Sequence, residues 1–185
     1  MTNVELENIK QISIRGRYAY VLVCFEDLVY LLDLVSEQMK HLLNQFWAVV
    51  STKMIGALED MLIEYSPDVI LEDYENFKRG VISMADIGLT SIQAGDEFTE
   101  RYTFLKSLPP PMPFLIHRLR DIATRELCAG LGQYSHNTYV ETIEAIEVID
   151  TVPGYNRPSL EIVNFSKFNE DHGWGRPFSR TNIIG

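Results

Sequence analysis

The side chains able to do chemistry are few and scattered. Four histidines and two cysteines are the soft or borderline metal ligands of the chain, and none stands in the CxxC, HExxH or His-x(3–5)-His spacing that suits zinc. Glu170, Asp171 and His172 are consecutive, but neighbours in an extended stretch point in different directions, so a solvated loop accounts for them better than a ligand set. Carboxylates cluster at Glu59, Asp60 and Glu64 and again at Glu72, Asp73 and Glu75. Acid and base work needs two carboxyls in a partly dry cleft that separates their pKa values, a tertiary condition that spacing does not supply. Exposed helix faces explain these clusters. No serine occupies a Gly-x-Ser-x-Gly elbow. Gly130-Leu131-Gly132 lacks the third glycine of the dinucleotide fingerprint and reads as a helix-ending turn. No catalytic residue, cofactor or metal site is assigned.

Binding surfaces give stronger signals than reaction centres. With 16 Lys+Arg against 26 Asp+Glu the formal charge is −10, a field that repels nucleic acid and anionic lipid and attracts a basic protein. Glu141, Glu144 and Glu147 alternate with Val140, Ile143, Ile146 and Ile149, which makes them a candidate steering face. In His172-Gly173-Trp174-Gly175-Arg176-Pro177-Phe178 the glycines leave Trp174 conformationally free, and Trp beside Arg is a pairing enriched at binding hot spots. Trp174 and Phe178 can equally pin the tail to the body of the protein. Glu141, Glu144, Glu147, Trp174 and Arg176 are thus the candidate partner-binding residues. His117, Arg118, Arg120 and Arg125 form a local basic patch, read as a face paired with Asp121 and Glu126, with an internal salt-bridge patch or a phosphate site as alternatives.

These residues must be carried by helices. Thr2 or Asn3 can cap a short helix with Val4, Leu6, Ile9 and Ile12 on it, ending before a break at Gly16. Residues 18–35 are mostly apolar, with Glu26, Tyr30, Asp33 and Glu37 on one narrow face, as in a nearly buried central helix; a strand over 18–25 is the alternative. A helical stripe from Met39 through Phe46, Trp47 and Leu58 to Tyr65 predicts one long helix, or two with a joint near Ser51 and Thr52. Ser66, Pro67, Asp68, Lys78 and Gly80 fit the start and end of a helix over 67–79. A further helix spans 96–107. Prolines 109, 110, 111 and 113 predict an extended connector, followed by a helix from Leu115 that stops near Gly130 or Gly132. Asn137 or Thr138 starts the last helix, and Pro153-Gly154 ends it.

The fold class expected is all-α, a multi-helix bundle with a mostly irregular C-terminal extension in which 160–165 is a candidate strand. Residues 1–152 form the helical bundle domain and 153–185 the extension packed on the same domain. At 185 residues with 46% hydrophobic and 23% charged side chains, the chain can bury a sizeable core without disulfides or metals. Cys24 and Cys128 are expected as buried free thiols of a reducing compartment. The N-terminus shows no basic and apolar leader pattern, and the apolar run 18–32 falls short of the roughly 20 residues of a membrane span. A cytoplasmic protein is expected, with no membrane and no nucleic acid as partner.

Arg17-Tyr18-Ala19-Tyr20-Val21-Leu22 gives an early aromatic-rich helix, followed by the long helical stretch 38–65 and the Gly-Trp-Gly tail. In this order of features, in its small size and in its acidity, the chain resembles the all-helical immunity proteins of bacterial polymorphic toxin systems. The resemblance is one of texture and assigns no family binding residue to a position here. It implies a cytosolic module that binds a basic toxin domain and blocks it by stoichiometric occlusion, without turnover. An enzyme with a cryptic interhelical pocket and a helical adaptor acting as an oligomer are the competing functions.

Overall fold

The structure is a computed structural model describing residues 1–63, 65–83, 85–87, 92–127 and 132–183, with backbone alone at 60, 61 and 92–94. Helix α1 (Asn3–Gln11) opens with a capping box in which Thr2 Oγ1 accepts from the Glu5 amide at 3.2 Å and the Glu5 carboxylate accepts from the Thr2 amide at 2.8 Å. Two orphan donors of the first turn are satisfied at once. The same carboxylate accepts from Arg157 at 2.7 Å, and Arg157 also donates to Asp150 at 2.8 Å and to the Tyr20 hydroxyl at 3.0 Å. These contacts, led by the Thr2 amide and then Arg157, hold the Glu5 carboxyl down from 4.5 to about 2. Because the folded value lies below the unfolded one, the stabilisation is present above pH 4.5 and is lost as pH falls towards 2. Glu5→Gln is accordingly expected to flatten the acid limb of a stability–pH curve in that window while leaving its neutral shape unchanged. Parallel acid limbs for the two proteins would contradict this.

The first break lies at Ile12 and Ser13, not at Gly16. Ile12 is extended and bridges antiparallel to Lys167, while Ser13 Oγ accepts from the Gly16 amide at 3.0 Å and caps α2 (Ile14–Leu31). Gly16 therefore sits inside the first turn, where a Cβ would lie 2.6 Å from Ile12 Cγ2 and 3.1 Å from Ser166 Cβ. Its role is close approach between segments. Every residue of α2 from Ile14 to Glu26 is buried, and α3, α7, α8 and the turn Leu160–Val163 pack around it, as expected for a helix apolar on nearly all sides. The strand alternative does not hold. Glu26, placed on the polar face by its spacing, is also inside.

Helix α3 (Glu37–Ser51) is capped by Ser36 and stops where Thr52 turns extended, at the joint expected near Ser51 and Thr52. A 3-10 turn at Ile55–Ala57 leads into α4 (Leu58–Ile63), and α5 (Pro67–Lys78) starts with proline in its first turn. Ser66 precedes it without capping through its side chain, and its buried hydroxyl has no partner among the described residues. Helix α6 (Ile92–Ser107) begins earlier than the expected residue 96. The extended connector over 109–113 is corrected: α7 (Pro111–Thr124) already includes Pro111 and Pro113. The first turn of a helix has no intrahelical use for its amides, so proline's missing donor costs nothing there.

Helix α8 (His136–Asp150) follows Ser135, which adopts a left-handed φ of +48°. Beyond Gly154, at φ +80°, the chain runs through 3-10 turns at Leu160–Val163, Asp171–Gly173 and Arg180–Asn182. The strand suggested at 160–165 is instead the first of these turns, with Leu160 and Val163 buried, and the described residues contain no β-strand. The protein is an all-α helical bundle. Its C-terminal segment is tied to the early helices by main-chain bonds: Ser13 to Ser166 at 2.9 Å, Phe168 to Gln11 at 2.9 Å, Arg15 to Trp174 at 3.1 Å and Phe178 to Val50 at 3.3 Å. Among the described residues no helix is long and apolar enough to cross a membrane. Cys128, Glu64, Gly130 and Leu131 lie outside the described residues, as does the side chain of Asp60.

Candidate functional site: internal cations and an acidic groove

Helix C-termini present carbonyls without intrahelical donors and a partial negative charge. Two arginines at the start of α2 answer two such ends. Arg17, 1% exposed, donates from Nε to the Ile9 carbonyl at 3.0 Å and from Nη2 to the carbonyls of Lys10 at 3.3 Å and Tyr134 at 2.7 Å. Its Nη1 donates to the Ser135 carbonyl at 3.2 Å and to Thr138 Oγ1 at 2.9 Å, and the guanidinium lies near the rings of Tyr139 and Phe168. One side chain thus joins the end of α1 to the approach to α8. Arg15 donates to the carbonyls of Val49 at 2.8 Å and Val50 at 3.0 Å at the end of α3, and to that of Gly175 at 3.3 Å. Burial pulls the Arg17 guanidinium down to about 10, still high enough to keep it charged at neutral pH.

The remaining buried ionisable groups are engaged as well. Glu26 accepts from the Trp47 indole at 3.0 Å and from Arg180 at 2.5 Å. Burial pushes the Cys24 thiol up to about 12, so it is not a thiolate nucleophile near neutrality. Arg118 pairs with Glu141, with Glu144 at 3.3 Å and with Asp121 at 3.4 Å, while Arg125 reaches the other Glu141 oxygen at 2.8 Å. His117 stands 3.4 Å from Asp68 and 3.3 Å from Asp121, and Arg120 lies 3.3 Å from Asp68. The basic patch of α7 is therefore an internal salt-bridge patch joining α5, α7 and α8, and Glu126 accepts from Ser135 at 3.1 Å. Among the described residues no group of histidine, cysteine and carboxylate side chains is placed to hold a metal ion.

The candidate partner-binding residues fall into different environments. Glu141 is 4% exposed with both oxygens occupied, Glu144 is half-buried against Arg118, and Glu147 is exposed. Glu141 and Glu144 meet through Arg118. Trp174 is half-buried and borders Ile14, Tyr18, Val49, Leu58 and Ala123, so it pins the tail to the bundle. The glycines beside it, at φ +93° and +76°, turn the chain to bring its carbonyl onto the Arg15 amide. Arg176 is exposed, 3.6 Å from Glu170.

A groove that the sequence reading did not identify runs between the α2–α3 turn and α6. It has a volume of about 450 Å³ and is lined by Asp33, Leu34, Val35, Glu100, Phe104 and Leu108, among others. At Gln38, Glu100 and Phe104 it continues into a cleft of about 360 Å³ bordered by Glu37, His41 and Tyr65. Val35 in its lining is 47% exposed, and Tyr30 and Leu31 at the end of α2 are 61% and 48% exposed. The groove's sequence signal was the mostly apolar run 30–35 across the end of α2, which reads equally as helix interior. Comparison with family models, with curated proteins and with solved structures finds no match to this chain.

Proposed function

We propose that this chain is a protein-binding module of the immunity type, a cytosolic inhibitor that occludes a cognate basic toxin domain without turnover. The observation that carries the reading is where the charge sits. Among the described residues the buried carboxylates Glu26, Asp121, Glu126 and Glu141 outnumber the buried cations Arg15 and Arg17, yet with a formal charge of −10 and exposed carboxylates such as Asp33, Glu37, Glu97, Glu100 and Glu147 the exterior stays acidic. Such a field accelerates encounter with a cationic domain and discriminates against anionic ones. The resemblance in element order and acidity supports the same reading.

Co-expression with the domain encoded in the adjacent upstream reading frame is the direct test. Growth of a host killed by that domain alone is expected to recover, through a 1:1 complex whose association rate falls about tenfold or more from low to high salt. Unrelieved killing, or conversion of a metabolite by the purified chain that one point substitution abolishes, would overturn the proposal.

A further inference from the structure

The groove between the α2–α3 turn and α6 has the chemistry of a receptor for one kind of segment. Resting on the partner-binding reading, we propose that it docks a single basic amphipathic helix of the partner protein, with apolar side chains on Leu34, Val35, Phe104 and Leu108 and Lys or Arg side chains towards Asp33 and Glu100. The stretch from Glu97 on α6 to Leu108 just past its end borders it and spans roughly 17 Å at the rise of an α-helix, the length of about three helical turns. In the lining Leu34, Phe104 and Leu108 are half-buried and Val35 is exposed, with the exposed Tyr30 and Leu31 a few residues before it in the chain; apolar exposure of this kind marks a docking face. A furrow between helices takes the ridge of another helix.

Charge decides which helix. Asp33 and Glu100 are exposed at the groove and Glu37 and Glu97 at its cleft, against the lining cation Arg101, which is half-buried and stands 4.0 Å from Glu97, while the neighbouring Lys40 is held by Glu37 at 2.7 Å. The complementary face is cationic.

Asp33 supplies a second, independent observation. The end of α2 closes with the Leu34 amide on the Val29 carbonyl and the Asp33 amide on the Tyr30 carbonyl, and the end of α5 closes identically, with Val81 on Asn76 and Gly80 on Phe77. The left-handed position of this motif favours glycine, and α5 has Gly80 there at φ +69° whereas α2 has Asp33 at φ +53°. A carboxylate is kept at the groove where glycine is the less strained residue, a pattern found at functional positions.

The test uses the full chain and a labelled synthetic Leu/Lys amphipathic peptide of about 14 residues, roughly four helical turns, beside a peptide of the same composition with the amphipathic order scrambled. Fluorescence anisotropy is expected to show binding that weakens about tenfold for the scrambled peptide and for Val35→Asp or Glu100→Lys, with amide shift changes centred on 30–38 and 99–108. Val4→Ser, at an exposed position of α1 outside the groove, is expected to bind as the parent does. Asp33→Gly is expected to raise Tm by about 2–4 °C and yet weaken the peptide several-fold, a combination that a purely structural residue does not give. Equal binding of both peptides, shift changes centred on α8, or unaltered affinity of the groove variants would each overturn the assignment, as would displacement by the peptide of a second copy of this chain. If the peptide maps to the groove while the toxin domain is not neutralised, the toxin reading fails and the groove stands. A toxin complex indifferent to Val35→Asp and Glu100→Lys removes the groove and leaves that reading.

Discussion

Replacing Arg17 with methionine is expected to lower unfolding stability by about 3–5 kcal/mol, a large share of the roughly 5–15 kcal/mol that holds a typical domain together. Methionine fills much of the same space, so the loss is not mainly a cavity. The carbonyls of Ile9, Lys10, Tyr134 and Ser135 and the Thr138 hydroxyl all lose a donor, and buried acceptors left without one cost on the order of 1–3 kcal/mol each when water does not reach them. Arg17→Lys is expected to fall between the two, because one ammonium cannot span acceptors on both the α1 end and the α8 approach. Urea denaturation at neutral pH measures all three proteins. A loss below about 1 kcal/mol for the methionine variant would mean that water takes over these carbonyls, and the account of Arg17 as the link between α1 and α8 would fail.

Gly175→Ala is expected to be nearly as damaging, for a different reason. The new Cβ would stand 2.2 Å from Ser13 Oγ, 2.6 Å from Ser13 Cβ and 2.8 Å from Ser166 Oγ, at a φ of +76°. Those two hydroxyls are buried and bonded to each other at 2.6 Å, and Ser13 also caps α2, so neither can step aside without breaking a bond of its own. The tail must move instead. Its displacement loosens the Trp174 and Gly175 carbonyls from Arg15 and is expected to cost about 2–4 kcal/mol. Gly154→Ala is the matched control, since Gly154 has a similar φ of +80° but nothing within 4 Å of its Cβ position; it should cost only the left-handed backbone strain of about 1–2 kcal/mol. Equal losses for the two variants in denaturant titrations would remove the steric argument.

Both results bear on function through the same residues. Arg17 and Arg15 fasten the ends of α1 and α3, and the carboxylates left exposed keep the surface acidic. A stable bundle with an acidic exterior and a pre-formed apolar groove loses little freedom on binding, and affinity benefits when ordering is completed before the partner arrives.

Helices were legible where their signals are local. Thr2, Pro67 and Gly80 announced ends that the backbone adopts, because a cap is decided by a few consecutive residues. Prolines 111 and 113 misled for the complementary reason: their effect depends on whether they fall in a first turn or an interior one, and the sequence does not number the turns. The candidate site was less legible. Glu141, Glu144 and Glu147 recur at the spacing of a solvated face, yet Glu141 looks into α7 because Arg118 and Arg125 stand opposite it. Glu26 shared that fate once Trp47 and Arg180 arrived from distant parts of the chain.

The sequence by itself determined the all-helical class, the negative net charge and several helix ends, since periodicity, composition and capping act within a turn or two of chain. Only the tertiary structure decided which charges face water, because a buried ion is tolerated solely where partners from other segments converge on it. The groove likewise exists only between α6 and the α2–α3 turn, segments far apart in sequence, and no reading of either alone contains it.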